Sequence, residues 1–518
     1  VAAAVTDASA GAARLEALTS WHSDGWRDLR VAVLGLGVTG FAVADTLAEL
    51  GSKVTVYAAG PDDERARILE VIEVGFVVHP LDRVPDELAA SAPDLVVVSP
   101  GFRPDHPMLR WAAEAGVPVW GDIELAWRVR DKVKASEWML VTGTNGKTTT
   151  VQLAATLIAA GGARVAPCGN IGVPVLDAVR DPIGYDVLVV ELSSFQLHHL
   201  PTTGPGAVHP VASVCLNLAD DHYDWHGSPE AYRDAKAKVY ANTKVACVYN
   251  RADEATRSMV EDAEVEEGAR AIGFGLDTPG PSDFGVVDGI LCDRAFLEDR
   301  RTAALELTTL EELEPLGLAV PHVVANILAA AALARSIDVP VAAIHDSLAA
   351  FRLDAHRIQT VATAGGIRWI DDSKATNPHA AQASLQAFSP VVWIVGGLLK
   401  GVDADELVAR HAARLRAAVV IGVDRVALVE AFRRHAPGLP LFEVVTDDTE
   451  SVMPDAVALA ASVAEEGDTV LLAPAAASMD QFADYADRGR RFHEAVRDRL
   501  GGEGHDQPAS DDPAGQAD

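Results

Sequence analysis

The chain has 518 residues, 49% of them hydrophobic and 23% charged, with a formal net charge of −32. That length exceeds one ordinary core and predicts several domains. A surface this acidic repels phosphate backbones and anionic lipid, which argues against nucleic-acid or membrane-surface binding as a main role.

Cys168, Cys215, Cys247 and Cys292 have no CxxC spacing, so neither a zinc site nor a disulfide framework is expected. The opening VAAAVTDASAGAARLEA lacks the basic start and apolar core of a signal peptide, and no apolar run is long enough to span a bilayer. A cytoplasmic location without membrane insertion is expected.

Residues 1–28 are small and polar and read as a loosely ordered extension. Short Val/Ile/Leu runs then alternate with helical stretches, the pattern of βα units on parallel sheets, so the fold class is α/β. A first block, 29–128, has strands predicted at 31–35, 53–57 and 95–98. A second, 129–352, opens with the apolar run 138–141 and continues with strands at 186–190, 212–216 and 245–249 and a helix over 322–336. A third, 353–501, has strands predicted at 367–371, 391–395, 417–421 and 469–473. Residues 502–518 lack apolar periodicity and read as a disordered tail.

In the first block, LGLGVTG supplies Gly35, Gly37 and Gly40 in GxGxxG spacing after a strand. The next strand ends at Tyr57, Ala58 and Ala59, without the acid that would hold a nicotinamide cofactor's ribose. Another diphosphate ligand at this helix N-terminus is therefore preferred, with a structural glycine turn as the alternative.

The strongest local signal is VTGTNGKTTT, Val141–Thr150, between a strand and the helical segment VQLAATLIAAGG. Small residues there let backbone N–H groups face a phosphate, and the helix N-terminus adds partial positive charge. Gly143, Thr144, Asn145, Gly146, Lys147, Thr148 and Thr149 form the predicted ATP loop, with Lys147 on the phosphates and the Thr148 hydroxyl on Mg²⁺. Val141 stands where the longer P-loop pattern has glycine, so the loop is the short form TGTNGKT.

ELSSFQL (191–197) ends a strand with Glu191, placed like an acid that coordinates Mg²⁺. LADDHYDWHG (218–227) sets His222 among acids, where it reads as a loop histidine or a metal ligand. In PEAYRDAKAKVY, Lys236 reads by itself as a surface lysine. In the third block HRIQ holds Arg357, DDSKATNP combines acids, a lysine, hydroxyls and an amide, GGLLKG offers Lys400, and APAAASMDQF offers Ser478, Asp480 and Phe482. Three polar loops at three strand ends of one domain suit a ligand better than chance.

In this order, TGTNGKTT, ELSSFQL, HR, DDSKATN and PAAASMDQF resemble the Mur ligase family, and look like its D-glutamate-adding branch, over about residues 30–500. The resemblance implies three domains: a Rossmann-like UDP-binding domain, a central P-loop ATPase-type α/β domain and a C-terminal Rossmann-like domain. It implies a monomer using ATP and two Mg²⁺ sites to join D-glutamate to UDP-N-acetylmuramoyl-L-alanine through an acyl phosphate and a tetrahedral intermediate. It further implies that Lys147, His222, Lys236 and Lys374 serve the chemistry, and that Thr148, Glu191, His222 and a carbamylated Lys236 hold the metal ions. Asn326, Arg357 and Asp372 match ATP contacts. Val38, Thr39, Gly101, Asn170 and Ser193 match the UDP-linked substrate's site; Thr376, Lys400, Ser478 and Phe482 match the D-glutamate pocket. The chain departs from the family pattern at Val323, where asparagine is usual, at Ala58 and Ala59, where an acid and a hydroxyl meet the uracil, and at Ala476, where a cysteine is found. Other readings are a different Mur-type or folylpolyglutamate-type ligase, a nicotinamide-dependent oxidoreductase, and a nucleotide-binding regulator without ligase activity.

Overall fold

The computed structural model describes residues 11, 13–60, 63–80, 82–399, 404–446 and 448–501. It is an α/β fold with three sheets, and the chain divides between Phe351 and Arg352 into two compact units. The tail 502–518 and residues 1–10 of the expected extension lie outside the described residues.

The first unit opens with a five-stranded parallel sheet of β1 (Arg30–Leu34), β2 (Lys53–Ala58), β3 (Gly75–Val78), β4 (Leu95–Val98) and β5 (Val119–Gly121), in the order β3-β2-β1-β4-β5. The first connecting helix, α1 (Val38–Glu49), follows the Gly35 turn, where φ is +99°. A side chain at Gly40 would meet the Gly35 carbonyl oxygen at 2.2 Å, so glycine is required where helix meets strand.

Residues 13–28 are not the loose extension that their small, polar character suggested. Leu15, Leu18 and Trp26 are buried, and the Trp26 indole meets Trp120 edge-on at 6.3 Å. Buried Arg128 donates to the carbonyl oxygens of Leu15 at 3.1 Å and Leu18 at 3.0 Å while pairing with Glu124 at 2.8 Å. Sparse but well-spaced apolar side chains and one arginine are enough to dock the segment.

The same unit carries a nine-stranded sheet: β6 (Glu137–Thr142), β7 (Val165–Gly169), β8 (Val187–Glu191), β9 (Ala212–Cys215), β10 (Ala246–Asn250), β11 (Arg270–Phe274), β12 (Asp283–Val287), β13 (Ile290–Asp293) and β14 (Leu305–Thr309). Its order is β14-β13-β12-β11-β10-β9-β6-β8-β7. The central strands are parallel and almost wholly buried, as runs such as WMLV and VLVV require when both faces are covered. The β12–β14 meander at the edge is antiparallel. Helix α2 (Lys147–Ala160) springs from the end of β6, α3 (Pro229–Ala237) follows β9, and α4 (Pro321–Arg335) packs against α2. Among the described residues no single helix is long and apolar enough to cross a membrane.

Among its described residues the second unit has six strands: β15 (Gln359–Ala364), β16 (Ile367–Asp371), β17 (Val391–Gly396), β18 (Leu415–Ile421), β19 (Leu441–Glu443) and β20 (Thr469–Leu472). Their order is β15-β16-β20-β17-β18-β19, parallel except for β15 on β16. The last helix among the described residues, α5 (Tyr485–Arg499), buries Arg488, Gly489, Phe492, Ala495 and Val496.

Candidate active site

In the first unit the site is built where β6, β8 and β9 end. Thr142 is the last residue of β6, Gly143 takes φ +149° and Gly146 φ +84°, and α2 begins at Lys147. The loop is clamped to the chain after β9. The Asn145 N–H donates to Asn217 Oδ1 at 2.8 Å, and Asn217 Nδ2 donates to the Asn145 carbonyl at 3.0 Å. Thr144 Oγ1 accepts from the Ala219 N–H at 2.9 Å and bonds the Tyr232 hydroxyl at 2.9 Å. Asn326 of α4 closes the other side, its Oδ1 only 2.6 Å from where a Gly146 side chain would begin. Asn217 and Tyr232 were not anticipated; an amide two residues past a strand end and an aromatic within an amphipathic helix carry no motif of their own.

Glu191 pairs in register with Val141, so its carboxylate stands beside the start of the loop. It is 2% exposed; Oε1 accepts from Asn170 Nδ2 at 3.1 Å, and buried Oε2 has no hydrogen-bond partner. A buried carboxylate oxygen left unpaired beside a phosphate loop is the donor that a hard divalent cation seeks, and a hydroxyl such as that of Thr148 is another. The residues therefore fit Mg²⁺. Ser193 caps the following short helix through a reciprocal capping box with Gln196. Gln196 in turn donates to Asp122 at 2.9 Å, whose carboxyl burial pushes up to about 6.

Lys236 overturns its reading as a surface lysine. It is 2% exposed, and Nζ donates to the Gly143 carbonyl at 2.9 Å and to Thr142 Oγ1 at 3.3 Å. Lys147 Nζ also donates to the Gly143 carbonyl, at 2.9 Å, and to that of Thr144 at 2.9 Å. Burial, and then the neighbouring Lys147 charge, push the Lys236 ammonium down to about 7. The amine is thus held close to neutrality inside the loop. His222 takes φ +53°, and it and Lys236 both neighbour Tyr232, at 6.4 Å between ring centroids and 5.0 Å from Nζ.

The expected substrate residues on the first sheet lie beyond the strand ends: Val38 is 54% exposed, Thr39 follows it on α1, and Gly101 follows β4. The Gly101 carbonyl accepts from Trp225 Nε1 at 3.4 Å, which joins this loop to the helix after His222. Asn170 reaches Glu191, so the structure brings one expected substrate residue against one expected metal ligand.

In the second unit burial drives the Asp372 carboxyl up to about 6 against the bond from Ser384 and the charge of Arg357. Lys374 Nζ sits 3.8 Å over the Tyr485 ring, and the Thr376 N–H donates to the Lys374 carbonyl at 2.9 Å. Ser478 and Phe482 are buried in the loop after β20. Lys400 lies outside the described residues. Sequence reasoning missed Arg488: fully buried, it donates to Ser373 Oγ at 2.9 Å, the Ser373 carbonyl at 2.8 Å and the Ala476 carbonyl at 3.1 Å, tying the DDSKATN loop to the PAAAS loop.

Three family models match the chain: the Mur ligase MurD-like N-terminal domain over 29–121, the Mur ligase middle domain over 141–334 and the Mur ligase glutamate ligase domain over 356–476. A UDP-N-acetylmuramoylalanine--D-glutamate ligase of Leifsonia xyli subsp. xyli is 65% identical over 508 residues, 96% of this chain and 98% of the relative. One of Streptomyces avermitilis is 53% identical over 476 residues, 91% of this chain and 98% of the relative. Among solved structures, a pseudomurein peptide ligase type C from Methanothermus fervidus superposes with a TM-score of 0.54 at 17% identity, covering 91% of this chain and 100% of its own. The MurC ligase of Thermotoga maritima does so with 0.52 at 22%, covering 91% and 100%. At those identities the structures show a shared fold. The sequence relatives and the domain models show more: this chain belongs to the Mur ligase family.

Proposed function

We propose that this chain joins D-glutamate to UDP-N-acetylmuramoyl-L-alanine with ATP, a step of peptidoglycan precursor synthesis, as a monomer in the cytoplasm. One observation carries the reading: the phosphate loop, the unpaired Glu191 oxygen and buried Lys236 occur in a chain that matches 98% of a relative named for this reaction.

On this reading residues 29–128 hold the UDP-linked substrate, 129–352 bind ATP and 353–501 bind the amino acid. The terminal phosphoryl group of ATP passes to the alanyl carboxylate. The amine of D-glutamate attacks the acyl carbon and loses a proton, and the tetrahedral intermediate expels phosphate. Lys147 and the N–H groups of Gly143–Thr149 hold the phosphates, as a helix N-terminus favours. Thr148 and Glu191 hold one Mg²⁺, and His222 and Lys236 a second. Bound there, the metal neutralises charge on the transferring oxygens.

Lys236 serves as a ligand once carbamylated. Its neutral amine attacks the carbon of CO₂, a proton leaves the nitrogen, and the side chain becomes a carboxylate-like anion. An ammonium pushed down to about 7 supports this, because only the free amine reacts. Asn326, Arg357 and Asp372 contact ATP; Val38, Thr39, Gly101, Asn170 and Ser193 contact the UDP-linked substrate. Thr376, Lys400, Ser478 and Phe482 hold D-glutamate, with Lys374 beside the reacting groups.

The test is product mass after incubation with ATP, Mg²⁺, UDP-N-acetylmuramoyl-L-alanine and an equimolar mixture of amino acids. A single product heavier by one D-glutamate residue is expected; incorporation of lysine or diaminopimelate would reassign the substrate.

A further inference from the structure

Arg357 sits in an unusual stretch of backbone. Its neighbours His356 and Ile358 take φ of +66° and +46°. This left-handed region is disfavoured for any side chain and most for a β-branched one such as isoleucine. Two such residues around one arginine persist only where the surroundings over-determine them.

Those surroundings are specific. His356 Nδ1 bonds Asp371 Oδ2 at 2.6 Å, and His493 Nε2, from α5, bonds the same oxygen at 2.9 Å. The Ser373 N–H donates to Asp371 Oδ1 at 2.8 Å, so the fully buried carboxylate is bonded at both oxygens. The backbone of His356 is tied as well: its N–H donates to Gln359 Oε1 at 3.1 Å, and its carbonyl accepts from the Lys374 N–H at 3.2 Å. Helix α5 reaches this cluster only because residue 489 is glycine; a side chain there would begin 2.1 Å from His356 Nδ1.

The two imidazoles and the carboxylate have donor atoms within 4.8 Å of one another, a spacing that also suits a metal. The 2.6 and 2.9 Å separations argue otherwise, since ligand atoms around Zn²⁺ at its usual bond lengths stand about 3.3 Å apart. The cluster is a hydrogen-bonded chain. Arg357 Nε is buried without a hydrogen-bond partner, and Asp372 attracts the guanidinium. The backbone that the chain holds fixes where the arginine side chain begins, on a stem whose Nε has no hydrogen bond of its own.

We propose that His493 and Asp371 are positioning residues for Arg357, so that helix α5, through His493–Asp371–His356, preorganises the arginine for the ATP phosphates. This rests on the reading of Arg357 as an ATP contact, and the experiment separates the two. Affinity of the full-length protein for a non-hydrolysable ATP analogue is measured by calorimetry for His493→Ala, His493→Gln, Arg357→Ala and the double variant Arg357→Ala/His493→Ala.

His493→Ala is expected to weaken binding about tenfold, the order of one positional hydrogen bond, with KM for the UDP-linked substrate unchanged. His493→Gln, which restores a donor at the same reach, should recover most of the loss. The double variant should bind no worse than Arg357→Ala. Wild-type affinity in His493→Ala, or a loss that adds in full to that of Arg357→Ala, overturns the proposal alone. Wild-type affinity in Arg357→Ala overturns the ATP-contact reading and the proposal with it.

Discussion

Lys236 Nζ donates to the carbonyl oxygen of Gly143 at 2.9 Å, and that same oxygen accepts from Lys147 Nζ at 2.9 Å. Two lysines thus converge on one carbonyl of the phosphate loop. Two like charges so close disfavour each other, and burial together with that repulsion pushes the Lys236 ammonium down to about 7, while Lys147 stands partly exposed.

The convergence makes stability depend on pH. The Lys236 ammonium is pushed from its ordinary 10.5 to about 7 by burial and Lys147. Below about 7 both folded and unfolded chains hold the proton, and the fold carries the full penalty of a buried charge. Between about 7 and 10.5 the unfolded chain binds more proton, so stability rises with pH across that window. In CO₂-free buffer, denaturant midpoints should climb over this range in wild type and climb less in Lys236→Met. Equal slopes would contradict the burial of a neutral amine.

The same amine should take up CO₂. With isotope-labelled bicarbonate above pH 8, carbamate carbon should appear by NMR and be absent from Lys236→Ala. That variant should lose activity at least about a hundredfold and regain part of it with added short-chain carboxylate. Full activity without the additive would remove Lys236 from the metal site.

Glu191→Gln keeps the shape of the side chain and removes its charge. Because Oε2 is buried and unpaired, this oxygen has no structural bond to lose. The Mg²⁺ concentration for half-maximal activity should rise roughly ten- to hundredfold with little change in thermal stability. A drop in stability at unchanged Mg²⁺ dependence would make Glu191 a structural acid.

Lys147→Ala should reduce ATP turnover on the order of a thousandfold, measured as ADP release with all substrates present. Near-normal turnover would refute the phosphate-loop assignment.

The N-terminal segment gives a test independent of catalysis. Trp26 is 1% exposed, and its indole N–H donates to the Ser20 carbonyl at 2.8 Å. Trp26→Ala should cost about 3–5 kcal/mol, read as a shift of the first transition in a urea titration. An unchanged transition would show that the segment contributes nothing to the unit it covers.

The sequence made legible what strong local pattern encodes. The apolar runs at 138–141, 391–395 and 469–473 lie on observed strands to within two residues at either end, and the helix expected at 322–336 is Pro321–Arg335. Both nucleotide-type loops follow strands because glycine after an apolar run has few other uses. The edge strands Gly75–Val78 and Leu441–Glu443 and the β12–β14 meander escaped, since short half-buried runs lack a distinctive period. Burial of polar residues escaped too. Lys236 lies in PEAYRDAKAKVY and Arg488 and His493 in YADRGRRFHEAVRDR, stretches whose charge reads as solvated surface. Only tertiary packing shows that one lysine, one arginine and one histidine turn inward. In the first unit, neighbouring strand ends bring two of the singled-out residues together, Asn170 and Glu191 at 3.1 Å, a pairing that no local pattern encodes.

The most direct test of the central claim is phosphate release from ATP with UDP-N-acetylmuramoyl-L-alanine present, comparing D-glutamate with L-glutamate, L-lysine and no amino acid. Release that requires both the UDP-linked substrate and D-glutamate is the predicted result. Release with another amino acid in preference to D-glutamate, or equal release without any amine, would contradict it.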